Sequence, residues 1–139
     1  MSILDDPVPA PTPRRSPRYH RAVLDIAVNR SETPAYVLLR PAGELDAYTV
    51  AQFREALGEL AEEERVIIEL SDVPFMDSAG LGALIGGIRR IREAGGRITV
   101  ACSRPNLMRL LHTTGFDRIV PVEETVDEAA AALDRDPEV

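Results

Sequence analysis

Ser78 is the residue whose type and position are best suited to chemistry in this chain. It lies in the segment from Phe75 to Gly82, which joins an apolar strand pattern to a glycine-rich helical pattern. A serine at the start of a helix can cap it, serve as the nucleophile of a hydrolase, or accept a phosphoryl group. We expect Ser78 at the N-cap position, and local structure alone is enough to explain a serine there.

The residues around Ser78 argue against an enzyme. The serine does not stand in a Gly-x-Ser-x-Gly elbow, and the chain has only two histidines, His20 at the domain edge and His112 on a later helix. A hydrolase needs a base beside its serine and an oxyanion hole. The sequence therefore predicts no catalytic residue.

Cofactor and metal sites are not indicated either. The glycines that follow the serine, Gly80, Gly82 and Gly86, have a spacing that differs from the dinucleotide fingerprint, and there is no Walker lysine. The single cysteine, Cys102, excludes a disulfide within this chain and a cysteine-based metal site. We expect no cofactor and no metal, and we expect Cys102 to be a small core residue.

The helix behind Ser78 contains more glycine than helix propensity favours. Its interior, predicted over residues 79–94, holds four of them: Gly80, Gly82, Gly86 and Gly87. Each costs up to about 1 kcal/mol relative to Ala. Rotation by about 100° per residue places Gly82 and Gly86 on the outward side, above Ser78. Such a strip of bare backbone lets another protein approach closely, and tight packing against a neighbouring helix is the alternative explanation.

A phosphate on Ser78 would be compatible with this local structure. The first amides of a helix are unpaired donors, and the helix dipole favours negative charge there. The phosphate would add about −1.5 to −2 units of charge beside Asp77. The fold would persist while the surface changes sign, which is how a modification can switch the binding of a partner.

The elements that position Ser78 follow from the hydrophobic periodicity. Strands are predicted at residues 22–28, 36–40, 65–70, 98–102 and 119–122, and a turn at residues 31–34 makes the first two a hairpin. Helices are predicted at residues 48–63, 79–94, 105–115 and 125–133. Asp46 or Thr49 can cap the first helix. The apolar face of the second helix, which we expect to pack on the sheet, comprises Leu81, Leu84, Ile85, Ile88 and Ile91.

This alternation of strands and helices predicts an α/β fold. Strands separated by helices need right-handed crossovers, so the central strands should be parallel. The initial hairpin adds antiparallel pairing, which gives a mixed β-sheet flanked by about four helices. The 139 residues suffice for one ordinary domain, which we place at residues 20–135. Residues 1–19 are proline-rich and are predicted to form a disordered extension, and residues 136–139 form a short tail.

Charge and hydropathy narrow the choice of partners. The formal net charge is −7, although residues 1–21 carry four arginines against two aspartates. An acidic domain of this kind is not typical of a nucleic-acid-binding protein. No apolar run is long enough to span a bilayer or to form a signal peptide, so we expect a cytoplasmic protein without a membrane partner, either a monomer or a weak dimer.

The segment from Phe75 to Gly82, together with residues 43–49 of sequence Gly-Glu-Leu-Asp-Ala-Tyr-Thr, resembles the signature of the STAS-domain anti-sigma factor antagonists. The similarity extends to Gly95-Gly96 and to the residues 114–116, and it covers about residues 22–134. The Asp-Ser-x-Gly-Leu sequence is specific in this context. The resemblance implies the STAS fold, a mixed sheet flanked by helices.

The resemblance also implies a mechanism of partner switching. In that family the serine matching Ser78 is phosphorylated by an anti-sigma factor that is itself an ATP-dependent serine kinase. The dephosphorylated antagonist binds this anti-sigma factor and releases the sigma factor, phosphorylation blocks the binding, and a PP2C-type phosphatase restores it. The residues that we expect to form the partner-binding surface are Asp46, Tyr48, Thr49, Asp77, Ser78, Ala79, Gly80, Gly82 and Gly86.

Two questions about this surface remain open from the sequence. Asp46 either contacts the kinase or only caps the first helix. The whole module is either a phosphorylation switch or a scaffold or small-ligand-binding STAS domain that is never phosphorylated. A phosphorylation switch and a module that is never phosphorylated differ in the effect of replacing Ser78 by Asp. This replacement weakens partner binding only in a phosphorylation switch.

Overall fold

A computed structural model describes residues 24–135. The strands are β1 (Asp25–Glu32), β2 (Ala35–Ala42), β3 (Arg65–Glu69), β4 (Arg97–Ala101) and β5 (Val122–Glu123). The helices are α1 (Val50–Glu59), α2 (Ser78–Glu93), α3 (Pro105–Thr113) and α4 (Val126–Leu133), and a short 3-10 turn covers Phe116–Arg118. The predicted extension at residues 1–19, the start of the predicted domain at residues 20–23, and the tail at residues 136–139 lie outside the described residues.

The five strands form one mixed sheet in the order β1-β2-β3-β4-β5. β1 and β2 pair antiparallel as a hairpin, and β2, β3, β4 and β5 are parallel. The predicted α/β class with central parallel strands and four flanking helices is confirmed. In a parallel sheet all the strands end at the same edge, so the loops after β2 and β3 come together there.

The helices cover the two faces of the sheet unequally. Alternate residues of the central strands point to opposite faces. Leu39, Ile68 and Val100 belong to the main core, which α1, α2 and α3 cover. A smaller cluster on the other face packs strand residues against α4. There the buried hydroxyl of Thr99 donates a hydrogen bond of 2.8 Å to the carbonyl of Ala129.

Cys102, immediately after β4, is completely buried in the main core, as expected from the sequence. Burial raises the pKa of its thiol, because removal from water disfavours the thiolate. The side chain acts as a small apolar group.

Three elements differ from their predicted bounds by more than two residues at one end. β1 continues to Glu32 instead of ending at residue 28, so the predicted turn at residues 31–34 is reduced to Thr33-Pro34. The first helix ends at Glu59 instead of residue 63, and Leu60 then turns into the core. The last strand was predicted at residues 119–122, but β5 is Val122–Glu123. Gly115 has a positive φ of 80° and leads into the 3-10 turn, which leaves Ile119 outside the sheet with 41% of its surface exposed.

Within the described residues no helix has the length and apolar character needed to cross a membrane.

Candidate functional site

Two loops join at the edge of the sheet where β2 and β3 end. The amide of Gly43 donates to Asp72 O at 3.1 Å, and the amide of Leu45 donates to Phe75 O at 2.9 Å. The amide of Asp77 in turn donates to Leu45 O at 3.1 Å. These bonds continue the parallel pairing of β2 and β3 beyond the strands. The loop that carries Asp46 and the start of α2 are thereby fixed against each other.

Asp77, and not Ser78, is the N-cap of α2. Its backbone is extended, and its side chain accepts a hydrogen bond of 3.1 Å from the amide of Gly80 through Oδ1. The prediction that Ser78 occupies the N-cap is therefore wrong by one residue. Both Asp and Ser are good caps, and the carboxylate of Asp77 satisfies the amide three residues on.

Ser78 is consequently the first residue of the helix. Its side chain is exposed, and its hydroxyl has no hydrogen-bond partner among residues 24–135. Within residues 24–135, the backbone amides of Ser78 and Ala79 have no hydrogen-bond acceptor, whereas those of Gly80 and Leu81 donate to Asp77. An exposed hydroxyl thus lies beside two free donors at the positive end of a helix dipole.

The four glycines of α2 fall into two pairs. A Cβ on Gly80 would lie 2.5 Å from Leu45 O, and a Cβ on Gly87 would lie 2.7 Å from Leu57 Cδ1 of α1. Close packing explains this pair, Gly80 against the loop before α1 and Gly87 against α1 itself. By contrast, a Cβ on Gly82 or Gly86 would meet nothing within 4 Å. These two face outward, as the helical periodicity predicted.

Asp46 holds the start of α1. Its Oδ1 accepts hydrogen bonds from the amides of Tyr48 at 2.9 Å and Thr49 at 3.2 Å, in the turn that precedes the helix. Thr49 is the residue at the N-cap position but makes no side-chain capping bond. Its hydroxyl donates to Glu44 O at 2.7 Å and accepts from the amide of Asp46 at 3.1 Å. Local structure therefore accounts for both side chains.

The structure brings most of the predicted surface residues to one edge, but two of them are buried. Thr49 is only 1% exposed, and Gly80 lies against Leu45. The buried Thr49 side chain shapes the loop, and Gly80 allows α2 to approach that loop closely, while the role of both residues in partner binding stays a prediction. Tyr48 is 82% exposed at the loop tip. Asp46, Asp77, Ala79 and Gly86 are partly exposed, and Ser78 and Gly82 are exposed.

Phe75 lies in the same segment and has no role predicted from the sequence. Its side chain is 49% exposed, and its carbonyl is bonded to the amide of Leu45. The signal that could have identified Phe75 is a large aromatic residue that directly follows a proline in a loop. Phe75 and Tyr48 are two of the four large hydrophobic side chains exposed within residues 24–135. Both come from the two loops that are joined beside Ser78.

Other groups with catalytic potential lie elsewhere. His112 is in the last turn of α3, where its Nδ1 lies 2.9 Å from Asp117 Oδ2. No group of three or more His, Cys, Asp or Glu side chains in residues 24–135 is arranged to hold a metal ion. The described site offers a hydroxyl, free amides and bare backbone, which are suited to binding and to covalent modification.

A family model for the STAS domain matches residues 27–129, which includes most of β1, the other four strands, both loops and α2. The chain belongs to the STAS-domain family. The resemblance that was noted in the Asp-Ser-x-Gly-Leu segment is thus confirmed.

Several relatives of this STAS-domain chain are named as anti-sigma factor antagonists. It is 33% identical over 100 residues to an anti-sigma-B factor antagonist of Bacillus subtilis, covering 71% of this chain and 90% of the relative. It is 27% identical over 114 residues to an anti-sigma F factor antagonist of Paenibacillus polymyxa, covering 80% and 97%. A crystal structure of an anti-sigma factor antagonist from Mycobacterium paratuberculosis matches with a TM-score of 0.72 and 25% identity, covering 81% and 96%.

Proposed function

We propose that this protein is an anti-sigma factor antagonist whose binding to an anti-sigma factor is switched off by phosphorylation of Ser78. The observation that carries the proposal is the position of Ser78. Its exposed hydroxyl is free of protein partners among the described residues and lies at the start of α2, between the Asp46 loop and the outward glycines. The names of the relatives supply the class of partner.

The dephosphorylated surface is suited to close docking. Gly82 and Gly86 leave the backbone of α2 uncovered, so a partner can pack directly on the helix. Tyr48 and Phe75 add exposed aromatic surface on the two loops joined beside Ser78, and aromatic side chains are enriched at interfaces. Asp46 keeps its loop in place through the capping bonds, and its partly exposed carboxylate is available to a partner.

Phosphorylation changes this surface without a need to unfold it. An anti-sigma factor that is an ATP-dependent serine kinase would transfer the γ-phosphoryl group of ATP to Ser78 Oγ, with loss of the hydroxyl proton and release of ADP. The phosphate can be held by the free amides of Ser78 and Ala79. It also places about −1.5 to −2 units of charge next to the Asp77 carboxylate.

The modified protein would repel the partner that the unmodified protein binds. A dianion in a closely packed interface costs desolvation and like-charge repulsion of several kcal/mol unless it is paired. A PP2C-type phosphatase would then restore binding by hydrolysing the phosphoester. In this scheme the protein is a regulatory binding module and not an enzyme.

The proposal is tested by measuring binding to the anti-sigma factor by calorimetry and locating phosphate by mass spectrometry. We expect phosphate on Ser78 after incubation with the kinase and ATP, and no phosphorylation of the Ser78→Ala variant, which should still bind. Ser78→Asp should weaken binding at least about tenfold, which corresponds to about 1.4 kcal/mol.

A matched control separates position from charge. Ala131→Asp introduces the same charge at an exposed position of α4, on the opposite face of the sheet, and should leave the affinity unchanged. Equal affinity of the Ser78→Asp variant and the unmodified protein would instead support a STAS scaffold that is not switched by phosphorylation.

A further inference from the structure

A shallow groove lies beside the second half of α2, away from Ser78. It has a volume of about 360 Å³ and is lined by Ile85, Ile88, Arg89, Arg92, Glu93 and Ile119. Ile119 lies where the chain leaves the 3-10 turn, and its carbonyl accepts a hydrogen bond of 2.6 Å from Arg92 Nη1. This bond fixes one wall of the groove to the helix.

The groove is continuous with the surface at Ser78. Ser78, Gly82, Ile85 and Arg89 are spaced by four, three and four residues, so they follow one face of α2. The buried residues of the helix, which include Leu84, Ile88 and Ile91, lie toward the core. From Ser78 to Arg89 the helix rises about 16 Å. A partner that docks at Ser78 and follows α2 therefore reaches the groove.

The groove is apolar in its floor and basic in its rim. Ile119 is 41% exposed and Ile85 is half-buried, which leaves aliphatic surface open to a ligand. Arg89 is exposed at one rim of the groove, and the side chain of Arg92 is held against the groove wall by its hydrogen bond to the carbonyl of Ile119. Glu93 is the acidic residue among the six lining residues. In a chain with a net charge of −7, this is a local excess of positive charge.

We propose that this groove is a second contact site for the anti-sigma factor and that it receives an apolar side chain flanked by carboxylates. The proposal rests on the proposed function, because it extends the same docking surface along α2. Aliphatic surface favours an apolar anchor, and the arginine rim favours acidic neighbours over basic ones. The Ser78 edge provides the switch, and the groove selects a partner by its charge.

The protein's own amino-terminal segment is one competitor for the groove, because residues 3–6, Ile-Leu-Asp-Asp, place apolar side chains beside two carboxylates, ahead of the four arginines at positions 14–21. If this segment occupied the groove, replacing Asp5 and Asp6 by Lys would raise the affinity for the anti-sigma factor, and the inference would be wrong. A second copy of the acidic chain is the other competitor, and it makes a distinct prediction because its binding depends on the concentration of this protein alone.

The test is calorimetric titration of the full-length, unphosphorylated protein with the anti-sigma factor. Arg89→Glu and Ile119→Ser should each lower the affinity about tenfold, while the affinity of Arg89→Gln falls between those of the unmodified protein and Arg89→Glu. Arg135→Glu is the matched control, since it makes the same charge change after α4 on the opposite face, and it should have no effect. Thermal unfolding shows that each variant is folded.

The outcomes distinguish this inference from the proposed function. If the unmodified protein does not bind the anti-sigma factor, both fail. If it binds and Ser78→Asp weakens binding, but Arg89→Glu and Ile119→Ser bind as the unmodified protein does, only the groove is overturned. If sedimentation shows self-association that Arg89→Glu abolishes while binding to the anti-sigma factor is unaffected, the groove is an interface between copies and the inference is wrong.

Discussion

At the scale of single residues, the assignment of the helix cap decides what Ser78 is free to do. Asp77 Oδ1 takes the amide of Gly80, so the Ser78 hydroxyl is left without a structural task among residues 24–135. The sequence placed the cap one residue later because Asp and Ser have similar N-cap preference. The parallel bridge between Leu45 and Met76, which fixes where the strand pairing ends, is a long-range contact that the local sequence does not reveal.

This reassignment predicts stability effects of different size for two adjacent residues. Asp77→Ala should lower the free energy of unfolding by about 1 kcal/mol, because the amide of Gly80 loses its acceptor. Ser78→Ala should change it by less than about 0.5 kcal/mol, because only an exposed hydroxyl is removed. Urea unfolding of the two variants measures both values, and Asp77→Asn serves as the control that keeps an acceptor. If Ser78→Ala lowered the free energy of unfolding more than Asp77→Ala does, Ser78 and not Asp77 would be the N-cap.

At the scale of elements, α2 packs one face against the core and leaves the opposite face uncovered. The sequence predicted the helix to within one residue at each end and placed Gly82 and Gly86 outward, because 3.6-residue periodicity depends only on local spacing. It did not show that Gly80 and Gly87 are required for close contact. That requirement comes from the Leu45 carbonyl and from Leu57 of α1, which approach from distant parts of the chain.

The two kinds of glycine should therefore respond in opposite ways to alanine. Gly80→Ala places a Cβ against the backbone carbonyl of Leu45, which cannot move aside freely, and should destabilise the protein by about 1 to 3 kcal/mol. Gly82→Ala adds a methyl group in open space and should stabilise the helix by up to about 1 kcal/mol.

Thermal unfolding and binding, measured together, separate stability from docking. In the proposed interface, Gly82→Ala should weaken the anti-sigma factor's binding although the variant is more stable. A Gly82→Ala variant that is both more stable and unchanged in affinity would show that the partner does not approach this part of α2 closely.

At the scale of the whole molecule, the sheet holds in place the two loops that position Ser78. The parallel pairing of the central strands was predictable because strand and helix periods alternate and crossovers are right-handed, whereas the order of the strands came only from the structure. The position of Ile119 was not predictable. Its aliphatic character suits a strand, and only the turn at Gly115 and Phe116–Arg118 moves it to the surface, where it lines the groove beside α2.

The buried thiol of Cys102 allows a test of whether the switch acts on the surface or on the fold. The thiol is fully buried, and burial raises its pKa, so a thiol reagent reacts only after the protein opens. Labelling of the native protein should be slower than that of the unfolded chain by at least about a thousandfold, which corresponds to an opening free energy of about 4 kcal/mol.

Ser78→Asp should leave this protection unchanged within about threefold, since the added negative charge lies at an exposed helix start, where the helix dipole stabilises it. Gly80→Ala is the contrasting variant, because its strain lies in the packed contact with Leu45 and should accelerate labelling. Faster labelling of Ser78→Asp, comparable to that of Gly80→Ala, would mean that the negative charge loosens the domain. Binding would then be lost through the fold and not through a changed surface.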